Sequence, residues 1–117
     1  MTVVLARTTT PEGTAAQDAA VEEARRRGED LLVVDLSGEG SEVEDAEGVT
    51  VTRRALDARD RDPVGALLDV VAEVGASCIV MGIKHRTAVG KLLLGSAAQK
   101  ILLEANVPVI AVKSAQT

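Results

Sequence analysis

The chain has 117 residues, a formal net charge of −5 and no Phe, Tyr or Trp, although 46% of its residues are hydrophobic. This length predicts one domain over residues 1–117, with a core built from Val, Leu, Ile and Ala. The acidic charge and the lack of aromatic side chains for base stacking argue against a nucleic-acid partner. The chain has no apolar run near the roughly 20 residues that span a bilayer, and no secretory signal pattern, so we expect no membrane association and a cytoplasmic protein.

The first half of the chain predicts two strands, one helix and a long acidic loop. Val3–Ala6 and Leu31–Leu36 are apolar runs typical of parallel strands that are covered on both faces. Between them, the pair Thr10-Pro11 favours a helix start and Gly28 favours its end. Ser37–Gly48 contains five acidic residues, three glycines and no basic residue, which predicts a flexible, solvated loop.

The second half predicts three further strands and two helices. Val49–Thr52 alternates like a short third strand, and Cys78–Met81 and Val107–Val112 are apolar enough for a fourth and a fifth. Asp62-Pro63 begins the clearest helix, and Gly75 ends it. This helix carries an apolar stripe at helical spacing: Val64, Leu67, Leu68, Val71 and Val74. Strands that alternate with helices predict an α/β fold with a mostly parallel sheet.

Residues 81–96 form a glycine-rich segment between the fourth strand and the last helix. Ser96, with Gln99 three residues later, matches a capping box, which predicts Ser96 as the N-cap. A helix N-terminus attracts anions. The segment also holds three cations: Lys84, Arg86 and Lys91. It therefore indicates an anion site, and the alternative is that it only connects a strand to a helix while its cations are solvated.

The same segment resembles the signature of the universal stress protein family, in which a glycine, two residues, a second glycine and nine residues precede a glycine and a serine or threonine. Gly82, Gly95 and Ser96 match this pattern, and His85 stands at the second glycine. The flanking segments resemble the fourth strand, last helix and fifth strand of the family: Cys78–Met81, Ala98–Leu102 and Asn106–Val112.

The resemblance implies a three-layer sandwich with five mostly parallel strands in the order 3-2-1-4-5. The family usually places a helix between its second and third strands, so here that helix is expected to be reduced to the loop Ser37–Gly48. Ligands of such sheets bind beyond the carboxyl ends of the strands, where the winding direction reverses. In this order that point lies between strands one and four. Many family members pair the fifth strand with its copy, and Val107–Val112 has no internal charge that would protect a sheet edge, so we expect a homodimer through this strand.

The resemblance also implies a nucleotide site, with two departures from the ATP-binding members. Thr8 stands where those members carry an aspartate, and His85 adds a side chain where the backbone should approach phosphate. We therefore expect ATP binding to be weak or absent, and no required cofactor, although ATP or another adenine nucleotide fits the pattern. The candidate nucleotide- or anion-binding residues are Thr8, Gly82, Lys84, His85, Gly95, Ser96 and Ala97.

Two functions remain open at this point. One is a non-enzymatic stress-response regulatory protein whose nucleotide site is partly decayed, and the other is an ATP-binding, nucleotide-dependent regulatory module. The sequence does not predict a catalytic or metal site, because it has one histidine, one cysteine and no nucleophile motif. ATP hydrolysis or phosphotransfer is the weakest hypothesis, since no base or metal-binding carboxylate pair is identifiable.

Overall fold

The computed structural model describes residues 1–8, 11–36, 48–56, 62–83 and 95–113. Within these ranges the chain forms five strands and three helices. The strands are β1 (Thr2–Arg7), β2 (Asp30–Asp35), β3 (Val51–Ala55), β4 (Ala76–Ile83) and β5 (Val109–Lys113). The helices are α1 (Pro11–Arg27), α2 (Pro63–Val74) and α3 (Ser96–Glu104). The strand order is β3-β2-β1-β4-β5 and every pairing is parallel, which confirms the predicted α/β fold.

The described helices lie on two faces of the sheet. From β1 the chain moves towards the β3 edge of the sheet to form β2. From β3 to β4, and again from β4 to β5, it moves towards the opposite edge. Because such connections are right-handed, α1 lies on one face and α2 with α3 on the other. The core is accordingly divided into two layers, one on each side of the strands.

The α1 layer is thin. Ala16, Ala20 and Ala24 are fully buried, and their spacing of four residues places them on one side of the helix. They pack on strand residues that include Leu5 and Val33. Alanine is small enough to let the helix lie close to the sheet, as expected for a core without aromatic residues. The lone cysteine, Cys78, is buried in this layer as a free thiol, and burial raises its pKa.

The α2 layer uses larger side chains and well-defined helix ends. Asp62 caps α2 by accepting a hydrogen bond from the Gly65 N–H at 2.9 Å. Gly75 ends the helix with φ of 63° and ψ of 50°, a left-handed conformation that favours glycine. Both predicted ends are therefore confirmed. The apolar residues that α2 and α3 bury against the sheet are Val64, Leu67, Val70, Val71 and Ile101.

A salt bridge ties the start of α2 to α3. The Lys100 Nζ lies 2.8 Å from the Asp62 Oδ1. The Lys100 ammonium first, and then the Gly65 N–H, lower the pKa of Asp62. The folded-state pKa of Asp62 lies below the unfolded-state pKa. The ionised form of Asp62 therefore stabilises the fold at pH values above the ordinary pKa of an aspartate. This stability is lost as the pH falls from that value through the folded-state pKa.

We therefore expect Asp62→Asn to melt at a lower temperature than the wild type at neutral pH, with a difference that shrinks below about pH 4. Asparagine keeps an N-cap oxygen but loses the charge. The effect should be small and should fall with added salt, because both side chains are partly exposed. Thermal unfolding followed against pH measures it. A difference that stays constant down to strong acid would show that the charge of Asp62 does not contribute.

The ends of several strands differ from the prediction. β3 covers Val51–Ala55 instead of Val49–Thr52, because it pairs in register with Leu31–Asp35 of β2. β5 covers Val109–Lys113 and pairs with Ile79–Ile83 of β4. Strand ends are thus set by the partner strand, which the local apolar pattern does not show.

The predicted loop Ser37–Gly48 lies outside the described residues apart from Gly48, and the residues described on either side of it between β2 and β3 form no helix. None of the helices formed by the described residues has the length and apolar character needed to cross a bilayer.

Candidate functional site

An open cleft of about 140 Å³ lies beyond the carboxyl ends of β1 and β4. This is the point where the winding direction of the sheet reverses, and therefore the place where parallel α/β sheets bind ligands. The first turns of α1 and α3 form two of its walls. Most of the described lining is apolar and includes Leu36, Met81, Ile83 and Ile101.

The structure brings four of the predicted site residues together around this cleft: Thr8, Gly82, Gly95 and Ala97. Ser96 is the exposed first residue of α3 and does not line the cleft. Lys84 and His85 lie outside the described residues, as do the other two cations of the predicted anion site, Arg86 and Lys91.

The predicted capping box at Ser96 is wrong. Gly95 is the N-cap of α3, with an extended backbone at φ of −65° and ψ of 160°, and α3 has no side-chain cap. The Gln99 N–H donates instead to the Gly95 carbonyl at 3.0 Å, which is the first bond of the helix. Because Ser96 already belongs to the helix, its hydroxyl is one position too late to cap it.

Two glycines hold the first turn of α1 against the cleft. A Cβ built on Gly82 would overlap the Glu12 carbonyl and come to 3.0 Å from the Gly13 amide nitrogen. A Cβ built on Gly13 would in turn overlap the carbonyl and hydroxyl oxygens of Thr8. The absence of both side chains therefore lets α1, β4 and the end of β1 meet at one point. Gly82 has a packing role here that does not depend on any ligand.

The fold agrees with three comparisons to known proteins. The model of the universal stress protein family matches residues 1–113. The chain belongs to this family. A universal stress protein of Mycolicibacterium smegmatis is 37% identical over 126 aligned positions, which cover 95% of this chain and 96% of that protein.

Solved universal stress proteins show the same architecture. One from Archaeoglobus fulgidus superposes with a TM-score of 0.72 at 31% identity, covering 96% of this chain and 97% of the other. Another from the same organism, solved in complex with dAMP, gives a TM-score of 0.66 at 28% identity and covers 96% of both chains.

Among the described residues that line the cleft of this universal stress protein, Glu12 is the charged one, and Thr8 carries a hydroxyl. Arg7 is adjacent to Thr8, but side chains alternate along a strand, so it points to the other face of the sheet. There the Arg7 Nη1 lies 3.4 Å from the Asp35 Oδ2, and its Nε lies 3.4 Å from the Gln17 Oε1. At the end of β1, the described part of the cleft therefore has the neutral hydroxyl of Thr8, which can donate or accept a hydrogen bond. It has no cation there.

Sequence reasoning missed Glu12, Gly13 and the apolar wall at Leu36 and Ile101. Gly13 did carry a signal, because a glycine inside the first turns of a helix disfavours that helix and often marks a close approach of the backbone. No sequence signal pointed to Glu12, because an acidic residue in the first turn of a helix is ordinary. Its position at the cleft follows from the contact between α1 and β4, which are distant in the sequence.

Proposed function

We propose that this protein is a non-enzymatic regulator of the stress response that binds an adenine nucleotide weakly in the cleft. The observation that carries this proposal is the cleft itself, which has apolar walls suited to a flat base but Thr8 where ATP-binding members carry an aspartate. The related structure with dAMP, at 28% identity, supports an adenine nucleotide as the ligand. We place the protein in the cytoplasm, where a reducing medium keeps a thiol such as Cys78 free.

The polar groups of the cleft support a binding role rather than a catalytic one. Its described lining offers one carboxylate, at Glu12, and one hydroxyl, at Thr8. Phosphoryl transfer uses a larger set, with residues that hold metal ions, a group that orients the nucleophile and cations that neutralise the developing charge. A regulatory site, by contrast, needs groups that bind the ligand to the folded protein and does not need this catalytic set.

A calorimetric titration with ATP tests the proposal. We expect a Kd above ~1 μM for the wild type, which is weaker than about −8 kcal/mol. Thr8→Asp should tighten binding by about tenfold, because a charged acceptor makes a stronger hydrogen bond than a hydroxyl does. Its position beside the first turn of α1 also favours a negative charge.

Thr8→Asn is the matched control for this titration, because it has the shape of aspartate without its charge. It should bind ATP more weakly than Thr8→Asp does. Tight ATP binding by the wild type would favour the second function, that of an ATP-dependent regulatory module. Equal affinities for the two variants would show that the missing aspartate does not explain the weakness.

We also propose that the protein is a homodimer through β5. This strand lies at one edge of the sheet and has no charge before Lys113. The opposite edge, β3, carries Arg53 and Arg54, which discourage pairing. An isologous contact lets each β5 edge satisfy the other without open-ended growth. The neighbouring helix α3 exposes two large apolar side chains, Leu102 and Leu103, which are 41% and 76% exposed.

A further inference from the structure

Glu12 is the one charged residue in the described lining of the cleft. Glu12 is partly buried, and its side chain makes no hydrogen bond or ion pair to another described residue. Other acidic residues of α1 do have such partners, since Glu22 pairs with Arg25 and Glu23 with Arg26 and Arg27. Among the described residues, none therefore occupies the acceptor oxygens of the Glu12 carboxylate.

The backbone beneath this carboxylate is fixed. Glu12 belongs to the first turn of α1, and its carbonyl packs directly on the Cα of Gly82. The backbone of Glu12 is therefore held at the cleft by its contact with β4.

We propose that Glu12 accepts a hydrogen bond from the nucleoside part of the ligand, and so supplies the carboxylate that the chain lacks at position 8. This rests on the proposed function, since it assigns a residue to the same cleft. The donor is an N–H or O–H group, which in an adenine nucleotide is the amino group of the base or a ribose hydroxyl. A carboxylate repels phosphate, so the phosphates lie away from Glu12, and the apolar wall at Met81 and Ile83 packs against the base.

Titration with AMP tests this assignment in the intact protein. Glu12→Gln keeps the size of the side chain but removes its charge, and we expect the Kd for AMP to rise by about tenfold. Glu22→Gln is the matched control, because Glu22 lies on α1 away from the cleft and should leave the Kd unchanged. Thermal unfolding of both variants confirms that they are folded.

Two analogues identify the donor. Purine riboside monophosphate lacks the amino group, and 2′,3′-dideoxy-AMP lacks the ribose hydroxyls. The analogue that binds the wild type and Glu12→Gln equally well lacks the group that Glu12 contacts, and this result supports the assignment. A tenfold loss that persists with both analogues would overturn the hydrogen bond, as would tighter AMP binding by Glu12→Gln, which would show that Glu12 faces the phosphate.

The two proposals fail in different ways. If the wild type binds AMP and Glu12→Gln binds it equally well, the assignment of Glu12 is wrong while the nucleotide site stands. If the wild type binds neither AMP nor ATP, the nucleotide site is wrong and the assignment of Glu12 falls with it.

Discussion

Gly82→Ala is expected to lower the free energy of unfolding by about 1–3 kcal/mol, because the new methyl group enters a space that backbone already fills. It would overlap the Glu12 carbonyl, which cannot rotate away as a flexible side chain could. The first turn of α1 would have to move off β4. Chemical denaturation of the purified variant measures the loss, and it requires no ligand.

Gly95→Ser is the matched control for Gly82→Ala. A Cβ on Gly95 meets nothing within 4 Å, and its backbone conformation is open to any residue. Serine also adds an oxygen at the N-cap of α3, where serine is favoured. This variant should therefore be as stable as the wild type or slightly more so. If Gly82→Ala were equally stable, the close contact of α1 with β4 would be wrong.

Ala111→Pro is expected to convert a dimer into a monomer and so to halve the mass in solution. The Ile79 N–H donates to the Pro108 carbonyl at 2.9 Å, which shows that Pro108 faces β4. Because alternate residues of a strand direct their N–H and C=O groups to the same side, Ala111 directs its N–H outward. Proline removes this outward N–H, which a partner strand would need, but leaves the ladder to β4 intact.

Ala55→Pro at the opposite edge is the matched control for Ala111→Pro. The Leu31 N–H donates to the Thr50 carbonyl at 2.9 Å, so by the same alternation Ala55 directs its N–H away from β2. This variant should keep the mass of the wild type in light scattering at micromolar concentration. A dimer that survives Ala111→Pro would place the interface elsewhere, and a monomeric wild type would remove the dimer altogether.

Much of the fold could be predicted from the sequence because its signals are local. The ends of α2 were correctly predicted from Asp62-Pro63 and Gly75, whose backbone preferences act within one turn. The apolar runs likewise located the strands. The extent of β3 could not be predicted, because Arg53 and Arg54 lie in it only by pairing with β2, and charged residues at a sheet edge resemble a loop.

The cleft was predicted less well than the fold. Its location followed from the strand order, and Thr8, Gly82, Gly95 and Ala97 do meet there. The capping box at Ser96 failed because α3 begins one residue earlier than predicted, with Gly95 as its N-cap. The carboxylate of Glu12 in the described lining could not be predicted, since its position depends on how α1 contacts β4, which is distant in the sequence.

The thin α1 layer has a consequence for local unfolding. Within the described residues, α1 is the only helix on its face of the sheet, and its three buried alanines are the cover for strand side chains such as Leu5 and Val33. If α1 detached, water would reach this whole side of the core at once, so its opening would be nearly as costly as global unfolding. We therefore expect the first turn of α1, which carries Glu12, to keep its place when a ligand enters the cleft.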